Sequence, residues 1–263
     1  MESILGFSGA LIIGLVIGLL GGGGSILTVP LLVYMLAYNP ITATAYSLFV
    51  VGTSSLFGAL QKYKSGNVDF KTGLAFSFPS FIAVYLSRRF LVPGIPNEIF
   101  TINNFVFTKN MFIMVFFALI MFLAAISMIK KRKRNLKELD YKQPYPKTFV
   151  QGLAIGVITG LIGAGGGFLY VPALVLWANL PMKKAVGTSL VIVSFNSLIG
   201  FTGDMQTLQI DWEFLSVFTF LTIIGVLIGG LLSNYIPNKV LKKGFGYLIL
   251  VMSFYILLKE LYH

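Results

Sequence analysis

Six apolar runs, each about as long as a bilayer-crossing helix, constrain this chain more than any other feature of its sequence. They lie near residues 41–60, 73–91, 111–129, 185–203, 214–232 and 244–258. Crossing the hydrocarbon core of a membrane takes about 20 apolar residues. Hydrophobic residues make up 56% of the chain and charged residues only 11%, far from the balance of a soluble domain. Because backbone polar groups must be paired inside a bilayer, we expect an all-α polytopic membrane protein.

Two further apolar stretches, residues 4–37 and 149–180, are longer than one span and are interrupted by glycine. The first has no basic residue ahead of it and continues past any small-residue cleavage site. We therefore expect it to stay in the mature protein and not to act as a signal peptide.

These two stretches form the centre of a duplication. GLLGGGGSILTVP begins at Gly18 and GLIGAGGGFLYVP begins at Gly160, an offset of 160 − 18 = 142 residues. Without a gap, about a third of positions 18–70 match their counterparts, which indicates two repeated structural units. We predict a first transmembrane repeat over residues 1–130, a basic cytoplasmic linker over 131–147 and a second transmembrane repeat over 148–263.

The clustered glycines predict a sharp intramembrane break in each repeat. Glycine tolerates positive φ and lets backbones approach closely, and a helix over residues 26–37 would be about 18 Å long, too short to cross. The second arms should start near Gly24-Ser25 and Gly166-Gly167. There, unpaired backbone N–H groups and the helix dipole favour a negative ligand.

Charge placement distinguishes two arrangements of the repeats. If each glycine stretch crosses the membrane once, the repeats are parallel and about 12 of the 20 Lys and Arg residues lie inside. If each returns to its own side, the repeats are inverted and about 16 of the 20, Lys62 and the linker among them, face the cytoplasm. The positive-inside bias favours the second arrangement. We predict two inverted-topology repeats, each a glycine-broken helical hairpin followed by three transmembrane helices, with both termini outside.

Inverted repeats would bring the two helix starts together near the membrane midplane, which predicts an anion site at the repeat interface. Hydroxyls can donate to the same ligand, and four serines recur at matching positions of the two repeats: Ser47, Ser55, Ser189 and Ser197. Residues eight apart lie within about 80° of one another on a helix, so each pair can line one face. The alternative for any one of them is helix packing alone. The candidate substrate-binding residues are Gly22, Gly23, Gly24, Ser25, Ser47, Ser55, Gly165, Gly166, Gly167, Thr188, Ser189 and Asn196.

The composition argues against several other chemistries. The chain has no cysteine, and its one histidine is the terminal residue, so we expect no metal, no cofactor and no thiol chemistry. The net charge of +11 comes from short basic loops, which argues against a nucleic-acid partner. No charged residue lies clearly in the middle of a span, and Asp204, at a span end, is expected to be solvated.

Other residues are expected to have structural roles. Asp69 and Asp211 each follow a span in a polar loop and predict helix N-caps. The glycine pairs Gly14/Gly18 and Gly156/Gly160 predict close helix packing. Four aromatic residues could reach the site, although interfacial anchoring is their default role: Tyr34, Tyr46, Tyr170 and Trp177.

The paired glycine-proline motifs, AVGTSL at residues 185–190 and the two similar halves resemble the TauE/SafE sulfite-exporter family of membrane permeases. The resemblance covers nearly the whole chain except the linker and the stretch from Val92. It implies secondary transport of sulfite, organosulfonates or other small sulfur-containing anions across the bacterial inner membrane. The family's Gly-Thr-Ser stands here as Gly187-Thr188-Ser189, whereas the first half reads Ala45-Tyr46-Ser47, so Tyr46 could narrow the site.

The expected function is an exporter of small sulfur-containing anions, with the lipid bilayer and the anion as its partners. Three other classes remain open at this point. They are a non-transporting membrane scaffold or assembly factor, an anion channel, and a membrane-bound enzyme, for which no nucleophile, acid or metal ligand is visible. The sequence leaves the oligomeric state open.

Overall fold

The computed structural model describes residues 2–22, 25–102, 105–130, 145–163, 165–205 and 208–261. Over these residues the chain is almost entirely helical, as predicted. Its helices are α1 (Glu2–Leu20), α2 (Ser25–Pro30), α3 (Pro40–Lys64), α4 (Phe70–Leu86), α5 (Val92–Gly94), α6 (Lys109–Ile129), α7 (Tyr145–Ile162), α8 (Gly167–Leu176), α9 (Met182–Asp204), α10 (Trp212–Leu232) and α11 (Asn238–Leu261). Short π-helical turns extend α2 over Leu31–Met35 and α4 over Ser87–Leu91. A small antiparallel hairpin, β1 (Glu98–Ile102) and β2 (Phe105–Thr108), precedes α6.

Five of these helices, α3, α6, α9, α10 and α11, are long and apolar enough to cross a membrane. Large apolar side chains cover the outside of the bundle, with Phe78, Phe220 and Val251 each more than 60% exposed. Such a surface would be unfavourable in water, because soluble proteins rarely expose large apolar patches. The chain is therefore a multi-pass membrane protein whose outer surface suits lipid.

The 142-residue offset found in the sequence also relates the helices. Ser25, Pro40 and Phe70 start α2, α3 and α4, and the positions 142 residues later, Gly167, Met182 and Trp212, start α8, α9 and α10. The predicted N-caps are confirmed. The side chain of Asp69 accepts a hydrogen bond from the Thr72 amide at 3.1 Å, and that of Asp211 accepts one from the Phe214 amide at 3.1 Å.

In the first repeat the chain reverses direction between α1 and α2. Leu31 packs against Gly9 and Leu36 against Gly6, so α2 and its π-helical turn run back along α1. In the second repeat, Gly166 lies against Thr159, which brings the start of α8 back beside the end of α7. The described glycines Gly22, Gly165, Gly166 and Gly167 therefore lie where the two helices of each pair meet.

The first helix of each half packs against a helix of the other half. Helix α1 lies parallel to α10, with Gly14 against the Thr222 backbone and Gly18 against Gly229, and α7 lies in the same way on α4, with Gly156 against Ser80. A Cβ at these glycines, or at Gly160 beside the Val84 carbonyl, would meet backbone atoms of the neighbouring helix, so the predicted close packing of both glycine pairs is confirmed.

Two pairs of equivalent helices face each other across the middle of the bundle. Helices α3 and α9 are antiparallel, because Gly52 contacts Leu198 while Gly58 contacts Leu190. Helices α6 and α11 are also antiparallel, because Phe122 contacts Phe254 while Ile129 contacts Gly246. The antiparallel α3–α9 pair positions the candidate functional site.

Candidate functional site

The two glycine clusters meet backbone to backbone. A Cβ added at Gly22 would lie 2.7 Å from the Cα of Gly167, and one added at Gly167 would overlap the backbone of Gly22. Only glycine fits at this contact without moving the chain. Gly23 and Gly24 lie outside the described residues, and for Ser25 the structure describes only the backbone, where α2 begins.

In the second repeat the break ends in a left-handed turn. Gly165 has a φ of +66° and Gly166 a φ of +72°, and Gly166 is the N-cap of α8. The amides of Leu169 and Tyr170 donate to the Gly166 carbonyl at 2.9 and 3.0 Å. The amides that precede them in the first turn have no intrahelical acceptor and point out of the helix start. The predicted helix starts at Ser25 and Gly167 are confirmed.

The four recurring serines of α3 and α9, which we call the serine track, are all buried, and two of them, Ser189 and Ser197, contact the break glycines. Ser47, Ser55 and Ser197 are fully buried, and their hydroxyl oxygens have no hydrogen-bond partner among the described residues. Ser189, also buried, donates to the Val186 carbonyl at 2.8 Å and lies against Gly21. Gly165 packs against Ser197 from α9 and Val51 from α3. The structure thus brings the α9 half of the serine track, Ser189 and Ser197, against the break glycines.

A second polar cluster begins one turn into α8. The Asn196 amide nitrogen donates to the Ser80 hydroxyl at 2.7 Å and to the Tyr170 hydroxyl, and Ser80 and Tyr170 also hydrogen-bond. The Asn196 carbonyl oxygen is buried without a partner in the described part of the chain. Tyr170 is therefore an interior residue, which corrects its default assignment as an interfacial anchor. Ser80 was not predicted, because its partners are far away in sequence.

The Thr188 side chain hydrogen-bonds to the loop before α4, whereas its neighbours Val186 and Ser189 contact the break residue Gly21. The Thr188 hydroxyl accepts a hydrogen bond from the Asp69 amide at 2.9 Å, and at the matching position of the first repeat the Tyr46 hydroxyl accepts from the Asp211 amide at 2.7 Å. Both side chains thus hold the loop before the next helix. Tyr46 therefore replaces the threonine of Gly-Thr-Ser in the same structural role, and its hydroxyl binds the loop before α10.

The other two aromatic candidates lie elsewhere. The Tyr34 hydroxyl donates to Glu260 at 2.7 Å, near the end of α11. Trp177 is 38% exposed at the end of α8.

Arg88 and Asp204 form a buried ion pair, so the expectation that Asp204 is solvated is wrong. Asp204 is 4% exposed, and the Arg88 Nε donates to its carboxylate at 2.7 Å. Arg88 also donates to the Thr44 hydroxyl at 3.2 Å and to the Gly160 carbonyl at 3.4 Å. The sequence pattern did not reveal the pair because its members are 116 residues apart. Each, however, lies near the end of an apolar run.

Lys62 is also buried, at 3% exposure, and is not the loop residue that the charge count assumed. Its ammonium donates to the Gly230 carbonyl at 2.8 Å and to Ser233, where α10 ends. Within the described ranges, Lys62 has no carboxylate partner. Lys62, Arg88 and Lys109 are buried cations, whereas Asp204 is the buried carboxylate of the described chain. The buried charges of the described chain therefore sum to net positive, with Lys62 and Arg88 towards opposite ends of the bundle and Arg88 neutralised by Asp204.

The breaks are closed in this conformation, since Gly22, Gly165, Gly166 and Gly167 are all buried. A separate groove of about 340 Å³ runs between α4 and α9, lined by Gly73, Leu74, Ser77, Phe81, Val191 and Phe195 among others. Its apolar lining and the exposure of Leu74 and Phe195 give it a lipid-facing character.

A helical membrane bundle with closed glycine breaks and buried serine hydroxyls that have no partner among the described residues has the features of a membrane transporter, and known proteins agree with that class. The chain belongs to the sulfite exporter TauE/SafE family, whose model matches residues 6–256. It is 30% identical over 261 residues to "Probable membrane transporter protein YunE" of Bacillus subtilis, covering 89% of this chain and 88% of that protein. It is 26% identical over 258 residues to a "Probable membrane transporter protein" of Xylella fastidiosa, covering 94% and 91%. No solved structure matches the chain.

Proposed function

We propose that this transporter exports small sulfur-containing anions, such as sulfite or organosulfonates, across the bacterial inner membrane. The substrate binds at the interface of two inverted repeats, between the glycine breaks and the serine track. Transport requires no covalent step, so the site acts as a binding site and not as an enzyme active site.

The observation that carries this proposal is the set of unpartnered hydroxyls at Ser47, Ser55 and Ser197. A buried polar group without a hydrogen bond costs about 1–3 kcal/mol, so such groups are uncommon unless a ligand or water completes them. Hydroxyls donate well to an oxyanion, and the first-turn amides of α8 add further donors beside a helix dipole of the right sign. Ser47 and Ser55 lie eight residues apart on α3, about 12 Å along its axis, so a small anion completes these groups one after another as it passes along the serine track.

The inverted arrangement is supported by the antiparallel α3–α9 pair, because these helices occupy matching positions of the two repeats. A repeat pair related in this way has its substrate site near the midplane and can alternate access by exchanging the roles of the two halves. The helix starts at Ser25 and Gly167 then approach the site from opposite sides.

The orientation is supported by the basic end of the bundle. Lys62 contacts the end of α10, Lys183 donates to the Asn234 carbonyl at 2.7 Å, and the start of α11 follows at Asn238. Arg88 and Asp211 lie towards the other end. The positive-inside rule then assigns the end with Lys62, together with the linker, to the cytoplasm and both termini to the outside.

Flux measurements in proteoliposomes test this function. We expect saturable uptake of sulfite or an organosulfonate, with counterflow distinguishing a carrier from an anion channel. Ser197→Ala removes one donor to a charged ligand, worth about 1.5–3 kcal/mol, and should raise the half-saturating concentration roughly tenfold or more. Ser65→Ala is the matched control, because Ser65 is exposed and its hydroxyl donates only to Gln61 among the described residues.

The proposal is refuted if wild-type protein moves no sulfite, organosulfonate or thiosulfate under any ion gradient. A scaffold or assembly factor makes a different prediction. In that case Gly166→Leu would change the phenotype only through the amount of protein made.

A further inference from the structure

The Arg88–Asp204 pair lies at one end of the serine track. On α3, Thr44 precedes Ser47 by one turn and accepts a hydrogen bond from Arg88 at 3.2 Å. On α9, Asp204 follows Ser197 by seven residues, which places both on one face of the helix. The ion pair therefore continues the line of polar groups that begins between the glycine breaks.

The guanidinium of Arg88 also borders the second break directly. It donates to the Gly160 carbonyl at 3.4 Å, and a Cβ added at Gly163 would lie 3.0 Å from its terminal nitrogen. Gly163 has a φ of +69° and is the first residue after α7. Arg88 thus touches α3, α9 and the tip of the second hairpin at once.

A fold requirement does not explain the pair, because the other end of the bundle lacks it. At the 142-residue offset, Asp204 corresponds to Lys62 and Arg88 to Gly230. Lys62 there donates to the Gly230 carbonyl and has no carboxylate partner in the described part of the chain. At the position equivalent to the ion pair, the two halves are thus joined by a hydrogen bond from Lys62 to a backbone carbonyl.

The chemistry of the pair matches that of the proposed cargo. Arginine presents a planar fork of N–H donors that binds two-oxygen edges of carboxylates and oxyanions. A fully buried guanidinium needs a counter-ion, since an uncompensated buried charge is strongly unfavourable. The Asp204 carboxylate supplies negative charge and two oxygens, the same features that the edge of a sulfite or sulfonate group presents.

We propose that Arg88 is a substrate-binding residue and that Asp204 is its resident counter-ion, which the transported oxyanion displaces. This inference rests on the proposed function, because it assigns a binding residue to that site. In the empty protein, Asp204 holds Arg88 and keeps the end of the track closed. A small oxyanion that reaches this end competes with the carboxylate for the guanidinium.

A thermal-stability titration of the purified protein tests this competition. Sodium sulfite is the added ligand, and sodium gluconate keeps the ionic strength constant. In Asp204→Asn the competing carboxylate is gone, so the sulfite concentration for half-maximal stabilisation should fall. If Arg88 is released from Asp204 less than a tenth of the time in the wild type, the fall is at least about tenfold. Asp211→Asn is the matched control, because among the described residues the Asp211 carboxylate hydrogen-bonds only to the Phe214 amide as a helix cap, and asparagine caps equally well. It should leave the midpoint unchanged.

An Asp204→Asn midpoint equal to that of Asp211→Asn would overturn the inference and make the pair purely structural. If Asp204→Asn does not fold, the Arg88→Gln/Asp204→Asn double variant replaces it, since both charges are then removed. The double variant should lose stabilisation by sulfite, and a midpoint equal to that of the wild type would also overturn the inference.

Flux separates this inference from the proposed function. Wild-type flux together with an unmoved Asp204→Asn midpoint rejects the role of Arg88 alone. A shifted midpoint without any wild-type flux rejects transport of sulfite but supports anion binding at Arg88.

Discussion

Gly167 is where the two repeats touch through backbone alone, and Gly167→Ala tests whether that contact holds the site together. The added Cβ would overlap the backbone of Gly22, and neither chain segment offers a flexible side-chain end that could move aside. The change should therefore force the two hairpin tips apart.

Overpacking of a tight interior typically costs about 1–3 kcal/mol. For a chain of this size, a loss of 1 kcal/mol lowers the Tm by roughly 2–4 °C, so Gly167→Ala should lower it by about 2–12 °C. Because the displaced backbone also carries the helix start at the site, we expect transport to fall more than the amount of folded protein.

The measurement is the Tm of purified protein together with flux per folded molecule. Gly244→Ala is the control, because Gly244 lies in α11 and an added Cβ meets nothing within 4 Å. There alanine should be neutral or stabilise the helix by up to about 1 kcal/mol. If Gly167→Ala matches Gly244→Ala in both Tm and flux, the backbone contact does not have the role given to it here.

Two further predictions address the second polar cluster and the orientation. Tyr170→Phe removes the hydroxyl that hydrogen-bonds to Ser80 and Asn196, and it should cost about 1–3 kcal/mol of stability, measured as a lower Tm. The control is Tyr235→Phe, at a residue 87% exposed, which should change the stability by less than about 0.5 kcal/mol. The chain has no cysteine, so single cysteines can report sidedness: an impermeant maleimide on intact cells should label Asn97→Cys and not Ser65→Cys, and the reverse pattern would invert the orientation.

Local sequence signals predicted the helix starts and caps well. A glycine cluster inside an apolar run indicates a helix break from neighbouring residues alone. The N-cap roles of Asp69 and Asp211 likewise depend on residues only three positions away. The duplication then fixed which positions of the two halves are equivalent. These features act over a few residues or repeat at a constant offset, so a single sequence contains them.

Contacts between distant helices were beyond the reach of the same signals. Arg88 and Asp204 each resemble a loop charge at a span end, and only the packing of α4 on α9 buries them together. Lys62 became a buried cap of α10 for the same reason. The β1–β2 hairpin also escaped prediction, because it lies in the stretch from Val92 that has no counterpart at the 142-residue offset.

The exchange of α1 and α7 between the halves bears on how such a chain could arise. Helices α1 and α7 each bury their glycine face on a helix of the other half. A single half would therefore leave the glycine face of its first helix without a packing partner. A one-repeat ancestor would then have been stable only as a pair of copies inserted in opposite directions. On this reasoning, neither half should fold when expressed alone.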